Sequence, residues 1–483
     1  MNLRSRAVWG VRWTAISAVG TNILSVVQLL VVARALPPSD IGLMALVVVV
    51  TSFGAVISDF GIGGAVVQAR RIEPRHLSAL FWFNVLTGVI LAAVVVSLSS
   101  VIAGVFDQPD LRAPLALTAT MLIVASLGQQ SGYLLERHLR FDRIACVELG
   151  SAAAGTLVAV ILAFRLENVY ALVWGTLAAT TVKSLGFLAS GGDQSILVRP
   201  AVEGIGRYLR FGALNTAQRV VNFLGTNADF VLIGRWVSSG ALGHYSLAYN
   251  LANLPSSRLN PILGRVFFPL LARVQDDPQR LKRGYLQLQR AATTVTFPVI
   301  VALAAIAPSL PALLGEKWRQ SVVLLQGLCV VGATRAIAGT VGPLILACGR
   351  PDLGLRWSLL VVGLQVPPVA LGVAVSGARG AVAGFASAQL ILLALNFRLL
   401  VSPLSGLSAR EYLGAMRAPA FAAAAGLVAG LAVGRVGQSV VGAVIQIAVV
   451  LLAYGGAIAA LDRSAFSELK SALYQAGSAE GRS

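Results

Sequence analysis

The sequence predicts an all-α polytopic membrane protein with about fourteen transmembrane helices. Hydrophobic residues make up 57% of its 483 residues and charged residues only 12%, whereas soluble domains carry about 25% charged residues. Long apolar stretches recur along the whole chain, and short clusters of Lys and Arg separate them. This pattern excludes a soluble domain. It also excludes a nucleic-acid partner, because the net charge of +18 is spread over short membrane loops rather than basic arms.

The individual helices follow from the length of each apolar stretch. A helix needs about 20 apolar residues to cross the hydrocarbon core of a bilayer. The predicted spans are residues 13–33, 41–67, 79–104, 114–135, 144–164, 168–189, 210–234, 241–270, 291–313, 320–347, 354–375, 380–400, 414–434 and 438–461. The first stretch lacks a small-residue cleavage site, so we expect it to remain as a helix rather than to act as a signal peptide.

The charges between these spans predict the orientation of the chain. With the N-terminus in the cytoplasm, 26 of the 38 Lys and Arg residues fall on the cytoplasmic side and eight on the opposite side; four lie inside spans. This excess, which alternates from loop to loop, is what the positive-inside rule requires. We therefore expect a multi-pass protein of the bacterial cytoplasmic (inner) membrane with both termini in the cytoplasm.

An internal repeat divides the chain. The segment ARALPPSDIGLMAL resembles GRWVSSGALGHYSL 201 residues later, so that Arg34 pairs with Arg235 and Gly42 with Gly243. Further on, IEPRHL aligns with DDPQRL. Each copy holds six helices, an even number, which predicts parallel six-helix lobes with a binding site between them. The predicted domains are an N-lobe at 1–190, a cytoplasmic linker at 191–209, a C-lobe at 210–401, two further helices at 402–461 and a cytoplasmic tail at 462–483.

Several segments together resemble a known family. VRWTAISAVGTNILSVVQLLVVARALPPSDIGLMAL and SDFGIGGAVVQARRIEPRHLSALFW in the first half, and YLRFGALNTAQRVVNFLGTNADFVLIGRW and ACGRPDL in the second, resemble the polysaccharide exporters of the MOP superfamily. These are Wzx-like flippases, and the branch is that of colanic-acid and teichuronic-acid exporters. The resemblance implies a V-shaped pair of lobes. It also implies translocation of an undecaprenyl-diphosphate-linked oligosaccharide from the cytoplasmic to the periplasmic leaflet for lipopolysaccharide or exopolysaccharide synthesis.

Ionisable residues inside the predicted spans are the candidate site residues, because they are costly in a bilayer. Four are arginines and two are acids: Arg219, Arg258, Arg265, Arg335, Asp59 and Asp229. Amide side chains share these helices or occupy equivalent repeat positions: Asn222, Asn227, Asn260 and Gln28. A cavity with surplus arginines suits an anionic guest rich in hydrogen-bonding groups, because guanidinium groups bind phosphate oxygens bidentately.

Structural roles compete with a cavity role for several of these residues. Arg265 is close enough to the cytoplasmic end of its span to reach the headgroups, and Arg258 follows a proline kink whose free carbonyls need donors. Asp229 either pairs with an arginine or titrates during proton coupling. Asp59 either faces the cavity or caps a break in the second span, beside a group of glycines.

Two other function classes remain open. A small-solute antiporter of the multidrug (MATE) type would favour an anionic cavity for organic cations, whereas arginines outnumber acids here. A glycan polymerase or ligase would need a large external loop with paired carboxylates, and every predicted external loop is short. The three histidines are scattered and no P-loop lysine occurs. We therefore expect no enzyme activity, metal or cofactor, but coupling to an H⁺ or Na⁺ gradient. The expected partners are the lipid-linked glycan, membrane lipids, a polysaccharide polymerase and other biosynthesis proteins.

Overall fold

A computed structural model of the protein describes residues 3–68, 72–191, 198, 206–434 and 439–461. Within these ranges every regular element is a helix, numbered α1 to α17 in chain order. Internal contacts divide the chain into two compact units, Met1–Gly243 and His244–Ser483. The first unit thus extends beyond the predicted N-lobe and includes the seventh predicted span. Most of the predicted linker and the whole predicted tail lie outside the described residues.

The first unit is built from eight helices and the start of a ninth. They are α1 (Leu3–Ala35), α2 (Pro38–Asp59), α3 (Ile62–Gln68), α4 (Pro74–Val105), α5 (Arg112–Arg137), α6 (Phe141–Leu166), α7 (Tyr170–Gly191), α8 (Gly206–Trp236) and the first residues of α9 (Ser239–Arg273). Helix α7 packs along both α5 and α6, α1 packs on α6, and α8 packs on α2 and α3. The first unit therefore has α5, α6 and α7 at its centre.

The second unit contains the rest of α9 and eight further helices. They are α10 (Pro278–Ile306), α11 (Leu310–Leu314), α12 (Ser321–Ala338), α13 (Val341–Ala347), α14 (Pro351–Asn396), α15 (Ser402–Ser405), α16 (Ala409–Gly434) and α17 (Val440–Leu461). Its apolar core includes Tyr285, Leu288, Leu344, Val401 and Tyr412. Helices α10, α14, and α16 with α17 surround this core.

The helices account for the predicted number of spans. Eleven segments of the described chain are long and apolar enough to cross a membrane. One of them covers two predicted spans, because α14 bends at Ser376 and Gly377, where φ of the glycine is 60°. Helices α8 and α9, with 31 and 35 residues, are long enough to cross a membrane and are not among the eleven. Together they make fourteen, so the predicted fold class is confirmed and the chain is a multi-pass membrane protein.

The helix boundaries reproduce the internal repeat. Helix α1 ends at Ala35 and α8 ends at Trp236, while α2 begins at Pro38 and α9 begins at Ser239. Both pairs are 201 residues apart, the offset found in the sequence. Equivalent sequence in the two halves therefore ends and starts helices at equivalent places.

Two glycines of the repeat bring α2 and α9 together. A Cβ atom on Gly42 would overlap the carbonyl oxygen of Ser239, and one on Gly243 would overlap the carbonyl oxygen of Pro38. Ser239 is the repeat equivalent of Pro38, so each glycine approaches the repeat equivalent of the residue that the other glycine approaches. Small residues permit this close backbone approach in membrane helices, which explains why glycine occupies both positions.

The two C-terminal helices belong to the second unit. Helices α16 and α17 pack on each other and on α10. The buried side-chain amide of Gln446 donates to the carbonyl oxygens of Ala305 (2.8 Å) and Gly430 (2.9 Å). The hydroxyl of Tyr454 donates to the carbonyl oxygen of Thr294 (3.0 Å). Polar side chains that bond across helices hold such pairs in a bilayer, so α17 is fixed to α10.

Candidate functional site

The cytoplasmic end of α2, as the charge pattern orients it, positions the first candidate residue. The chain leaves α2 through Phe60 and Gly61, whose φ angles of 43° and 63° are left-handed, and α3 begins at Ile62. The helix therefore breaks where the cap hypothesis placed a break. The hydrogen bonds found for the carboxylate of Asp59, however, come from side chains of α5 and α8.

Asp59 lies at the centre of a polar network in the first unit. Its Oδ2 atom is 2.5 Å from Nη1 of Arg219. Its Oδ1 atom accepts hydrogen bonds from Nε2 of Gln129 (3.0 Å) and from the hydroxyl of Tyr133. Gln129 also bonds to the Tyr133 hydroxyl at 2.7 Å. These bonds fix the carboxylate from two sides, so its position is set before any ligand arrives.

The two partners of the ion pair differ in exposure. The Asp59 side chain is 7% exposed, whereas that of Arg219 is 53% exposed. A guanidinium group has five N–H donors, and the bond to Asp59 engages Nη1. The exposed part of Arg219 therefore keeps donors for an anion, while the buried carboxylate neutralises its charge in the absence of one.

A cavity of about 620 Å³ adjoins this network. Helices α2, α5, α6 and α7 line it, and Gln129 and Tyr133 form part of its wall. Three charged residues also line it: Glu136, Glu148 and Lys183. Sequence reasoning missed Glu148, although it lies in the predicted span 144–164. It also missed Gln129 and Tyr133, because the sequence does not show whether a neutral polar residue in a membrane helix faces a cavity or another surface.

One wall of this cavity is tied to α1. The carboxylate of Glu148 accepts a hydrogen bond of 3.1 Å from the hydroxyl of the buried Ser17. Further along the same helix pair, the Thr156 hydroxyl on α6 donates to the side-chain oxygen of Gln28 at 3.1 Å. Gln28, predicted to face a cavity, therefore joins α1 to α6. Its role in the described structure is to hold these helices together.

The remaining candidates on α8 lie in different environments. Asn222 is exposed. Asn227 donates to the carbonyl oxygen of Phe223 (2.9 Å), one turn earlier in its own helix. Asp229 is 1% exposed. Whether Asp229 pairs with an arginine or titrates stays a prediction.

Arg335 is the predicted arginine that the structure describes in the second unit, on α12. Its Nη1 atom donates to the Tyr249 hydroxyl (2.9 Å) and to Oδ1 of Asn253 (3.1 Å). The guanidinium group also lies over the rings of Tyr249 and Phe385, at 5.4 and 5.2 Å from their centroids. Aromatic faces attract a cation without neutralising it, so these contacts orient Arg335 and preserve its charge.

The structure brings two of the predicted residues together in this region. Nδ2 of Asn260 on α9 donates to the carbonyl oxygen of Arg335 at 3.4 Å. Arg335 and Asn253 also line a small cavity between α9 and α12. The side chains of Arg258 and Arg265, on the same α9, lie outside the described residues. Of the four predicted arginines, the structure therefore describes two, one in each unit.

Among the residues that the structure describes, the candidate site contains no arrangement that suits a metal. Across the described parts of the chain, no group of three or more His, Cys, Asp and Glu residues is placed to hold a metal ion. The charged groups instead form ion pairs and hydrogen bonds with amides and hydroxyls. What this arrangement offers chemically is recognition of anions and hydroxyl-rich groups.

The sequence matches a known family and curated relatives. The family described as "Polysaccharide biosynthesis protein" matches residues 31–323. The chain is 32% identical over 442 residues to the lipopolysaccharide biosynthesis protein WzxC of Escherichia coli K12, covering 90% of this chain and 89% of that protein. It is 30% identical to the teichuronic acid biosynthesis protein TuaB of Bacillus subtilis 168, covering 74% and 75% of the two chains.

Solved structures show the same fold at lower identity. The chain resembles the inward closed conformation of the lipid II flippase MurJ with a TM-score of 0.73 and 14% identity, over 93% of this chain and 98% of that one. It resembles an inward-facing multidrug resistance MATE family transporter of the MOP superfamily with a TM-score of 0.64 and 15% identity, over 80% and 96%. The predicted resemblance to polysaccharide exporters is thereby confirmed: the chain belongs to the polysaccharide biosynthesis protein family.

Proposed function

We propose that this protein is a flippase that moves an undecaprenyl-diphosphate-linked oligosaccharide from the cytoplasmic to the periplasmic leaflet. The named relatives act in the biosynthesis of surface polysaccharides, whose lipid-linked precursors must cross the membrane. The fold is shared with a flippase and a transporter. A carrier for a lipid-linked glycan accounts for both the pathway of the relatives and the transporter fold.

The half-exposed Arg219 is the observation that carries this proposal. A diphosphate needs a cation, and an uncompensated arginine is costly within a membrane. The pair with Asp59 solves this problem, because the carboxylate neutralises Arg219 until a phosphate reaches the exposed donors of its guanidinium group. The same arrangement disfavours organic cations, since the carboxylate is buried behind the arginine.

The neighbouring cavity supports a sugar-bearing substrate. Sugars present many hydroxyl groups, and the walls of the cavity of about 620 Å³ offer amide, hydroxyl and carboxylate groups. The hydroxyl groups of a glycan can both donate hydrogen bonds to such groups and accept hydrogen bonds from them. The side chains Gln129, Tyr133, Glu148 and Thr180 are the ones that we assign to this role.

We further propose the setting in which the protein works. The charge pattern supports insertion in the bacterial cytoplasmic (inner) membrane with both termini in the cytoplasm. The sequence holds no P-loop lysine, so an H⁺ or Na⁺ gradient, rather than ATP, is the energy source that we propose. The expected neighbours in the pathway are a polysaccharide polymerase and the other biosynthesis proteins.

Export in living cells tests the function. A strain that lacks this protein is expected to lose surface polysaccharide and to accumulate its lipid-linked precursor on the cytoplasmic leaflet. Expression of the wild-type chain should restore both, and collapse of the ion gradients with ionophores should stop export within minutes. Unchanged surface polysaccharide and no precursor accumulation in the deletion strain would rule out the proposed function.

A further inference from the structure

Asn84 on α4 extends the polar network around Asp59 by one further residue. Its side chain is buried, with 2% of its surface exposed, and its Nδ2 atom donates a hydrogen bond of 3.1 Å to Oε1 of Gln129. Gln129 in turn donates from Nε2 to Oδ1 of Asp59 at 3.0 Å. Asn84 is therefore joined through Gln129 to the carboxylate that pairs with Arg219.

The carboxylate of Asp59 determines which way both amides point. An ionised carboxylate only accepts hydrogen bonds, so the atom of Gln129 that faces Asp59 must be the nitrogen Nε2. The oxygen Oε1 of Gln129 then faces α4, where it needs a donor. Asn84 must therefore present its nitrogen to Gln129, which is the orientation that the structure shows. The direction of each hydrogen bond thus follows from the charge on Asp59.

The bond from Asn84 completes the hydrogen bonding of the Gln129 side chain. The amide nitrogen of Gln129 has two N–H groups, and it donates to Asp59 and to the Tyr133 hydroxyl. The amide oxygen accepts from Asn84. The Tyr133 hydroxyl uses its one proton for Asp59. Every donor in this network is therefore directed, step by step, toward the carboxylate.

The other polar atom of the Asn84 amide indicates that this residue does not serve stability alone. Its Oδ1 atom is buried without a hydrogen-bond partner among the described residues. A buried acceptor without a donor costs free energy, and an apolar side chain of similar shape would avoid this cost. The hydrogen bond to Gln129 is therefore the contribution that distinguishes Asn84 from an apolar residue at this position.

We propose that Asn84 is a positioning residue for recognition of the diphosphate, because it holds Gln129 against Asp59. The terminal torsion of a glutamine is broad, so a bond to the amide oxygen is needed to fix the amide. Without it, Gln129 turns away to find another donor, and Asp59 then depends more on Arg219. The guanidinium group is held more tightly and its donors are less available to an anion. This inference rests on the proposed function, in which Arg219 binds the diphosphate.

Binding of undecaprenyl diphosphate to the purified full-length protein tests the inference. Undecaprenol, which has the same chain without phosphate, is the reference ligand, and both affinities are measured by microscale thermophoresis in detergent. We expect the wild-type protein to prefer the diphosphate and Arg219→Ala to lose this preference. Asn84→Leu keeps the number of non-hydrogen atoms but removes the donor. It should weaken diphosphate binding about fivefold, the effect of one hydrogen bond, and leave undecaprenol binding unchanged.

Ser99 on the same helix provides the matched control. Its side chain is also buried, with 3% of its surface exposed, and its hydroxyl donates to the carbonyl oxygen of Val96 in its own helix. Ser99→Ala therefore removes a buried polar group from α4 without touching the network of Asp59. We expect this variant to bind both ligands like the wild-type protein.

A double-mutant cycle separates positioning from a general effect on the fold. If Asn84 acts through Gln129, Asn84→Leu causes no further loss of diphosphate binding in a Gln129→Ala protein. Additive losses in the cycle, or equal losses for the two ligands, would indicate a structural role and overturn the inference. If Asn84→Leu is not monodisperse, Asn84→Ala takes its place with the same expected results.

The same measurements distinguish failure of this inference from failure of the proposed function. Wild-type affinity for the diphosphate in Asn84→Leu, together with its loss in Arg219→Ala, would overturn the role of Asn84 alone. Equal affinity of the wild-type protein for undecaprenyl diphosphate and undecaprenol would contradict the proposed function, and the role of Asn84 with it.

Discussion

The ion pair of Asp59 with Arg219 is asymmetric, and this asymmetry shapes its behaviour. The carboxylate is buried and holds three donors, whereas the guanidinium group is half exposed. A buried charge that loses its partner is costly, whereas an exposed charge is solvated. When an anion binds the exposed side of Arg219, the arginine contacts both the anion and Asp59. The carboxylate of Asp59 keeps its hydrogen bonds from Gln129 and Tyr133.

This asymmetry predicts that removing Arg219 alone lowers stability more than removing Arg219 together with the charge of Asp59. Arg219→Ala leaves a buried carboxylate without its cation, and we expect a cost of about 1–2 kcal/mol after allowing for the exposure of the arginine. The double variant D59N/R219A should be more stable than R219A alone, because it removes the buried charge as well. Thermal unfolding of the purified proteins measures both. A double variant that is less stable than R219A would contradict the described pair.

Arg335 leads to a prediction about geometry rather than charge. Lysine keeps the positive charge but lacks the planar fork that bonds Tyr249 and Asn253 and lies over two aromatic rings. We therefore expect Arg335→Ala to abolish polysaccharide export and Arg335→Lys to retain only a small part of it, both at normal membrane levels of the protein. Full export with Arg335→Lys would show that charge alone is sufficient at this position.

The sequence predicted charged site residues better than neutral ones. Arg219 and Arg335 stood out because charges within a span are costly. Gln129 and Tyr133 could not be recognised, since polar uncharged residues occur on every face of a membrane helix and only the packing of α2 against α5 shows which of them meet Asp59. Asn227 was predicted to line the cavity, but its side chain donates a hydrogen bond to a carbonyl oxygen of its own helix. The direction of this side chain depends on its rotamer, which the sequence does not show.

At the level of elements, the helix boundaries were predictable where prolines and glycines fix them. Pro38, Pro74 and Pro278 each begin a helix, since proline is favoured in the first turn. The bend between two predicted spans lies at Gly377, where the backbone is left-handed. The crossing of α2 and α9 was not predictable, because the repeat pairs the two glycines in sequence without implying that their helices touch.

The crossing predicts a strict size limit at Gly42. Any side chain there collides with the carbonyl oxygen of Ser239, so we expect Gly42→Val to reduce the amount of folded protein and to lower its melting temperature by several degrees. Gly104→Val on α4 is the matched control, because a Cβ atom at that position meets nothing within 4 Å. Similar stability of the two variants, measured by fluorescence-detected size exclusion after heating, would contradict the close approach.

At the scale of the whole molecule, hydropathy and charge predicted the number of spans, but contacts decide how helices group. The seventh predicted span was assigned to the C-lobe by its position in the repeat, whereas α8 packs on α2 and α3 in the first unit. The internal repeat shows which helices are equivalent in sequence. It does not show which helices pack together, because packing depends on the side chains at the surface of each helix. The lobe boundaries and the orientation in the membrane therefore remain predictions.

The predicted orientation has a direct chemical test. In a variant whose three cysteines are replaced by alanine, we expect a cysteine at Ser238 to react with a membrane-impermeant maleimide added outside spheroplasts. A cysteine at Gln275 should react only after the membrane is permeabilised, because it lies in the next loop, on the cytoplasmic side. Reaction of both residues in intact spheroplasts, or the reverse pattern, would contradict the orientation.

The central claim is that Arg219 recognises the diphosphate of a lipid-linked glycan during its translocation. The most direct measurement is the rate at which a labelled undecaprenyl-diphosphate oligosaccharide becomes accessible to an external glycosidase in proteoliposomes with an imposed ion gradient. We predict rapid exposure with the wild-type protein and with Arg235→Ala, an exposed arginine on the same helix, and exposure close to that of protein-free liposomes with Arg219→Ala. Equal rates for Arg219→Ala and the wild-type protein would contradict the claim.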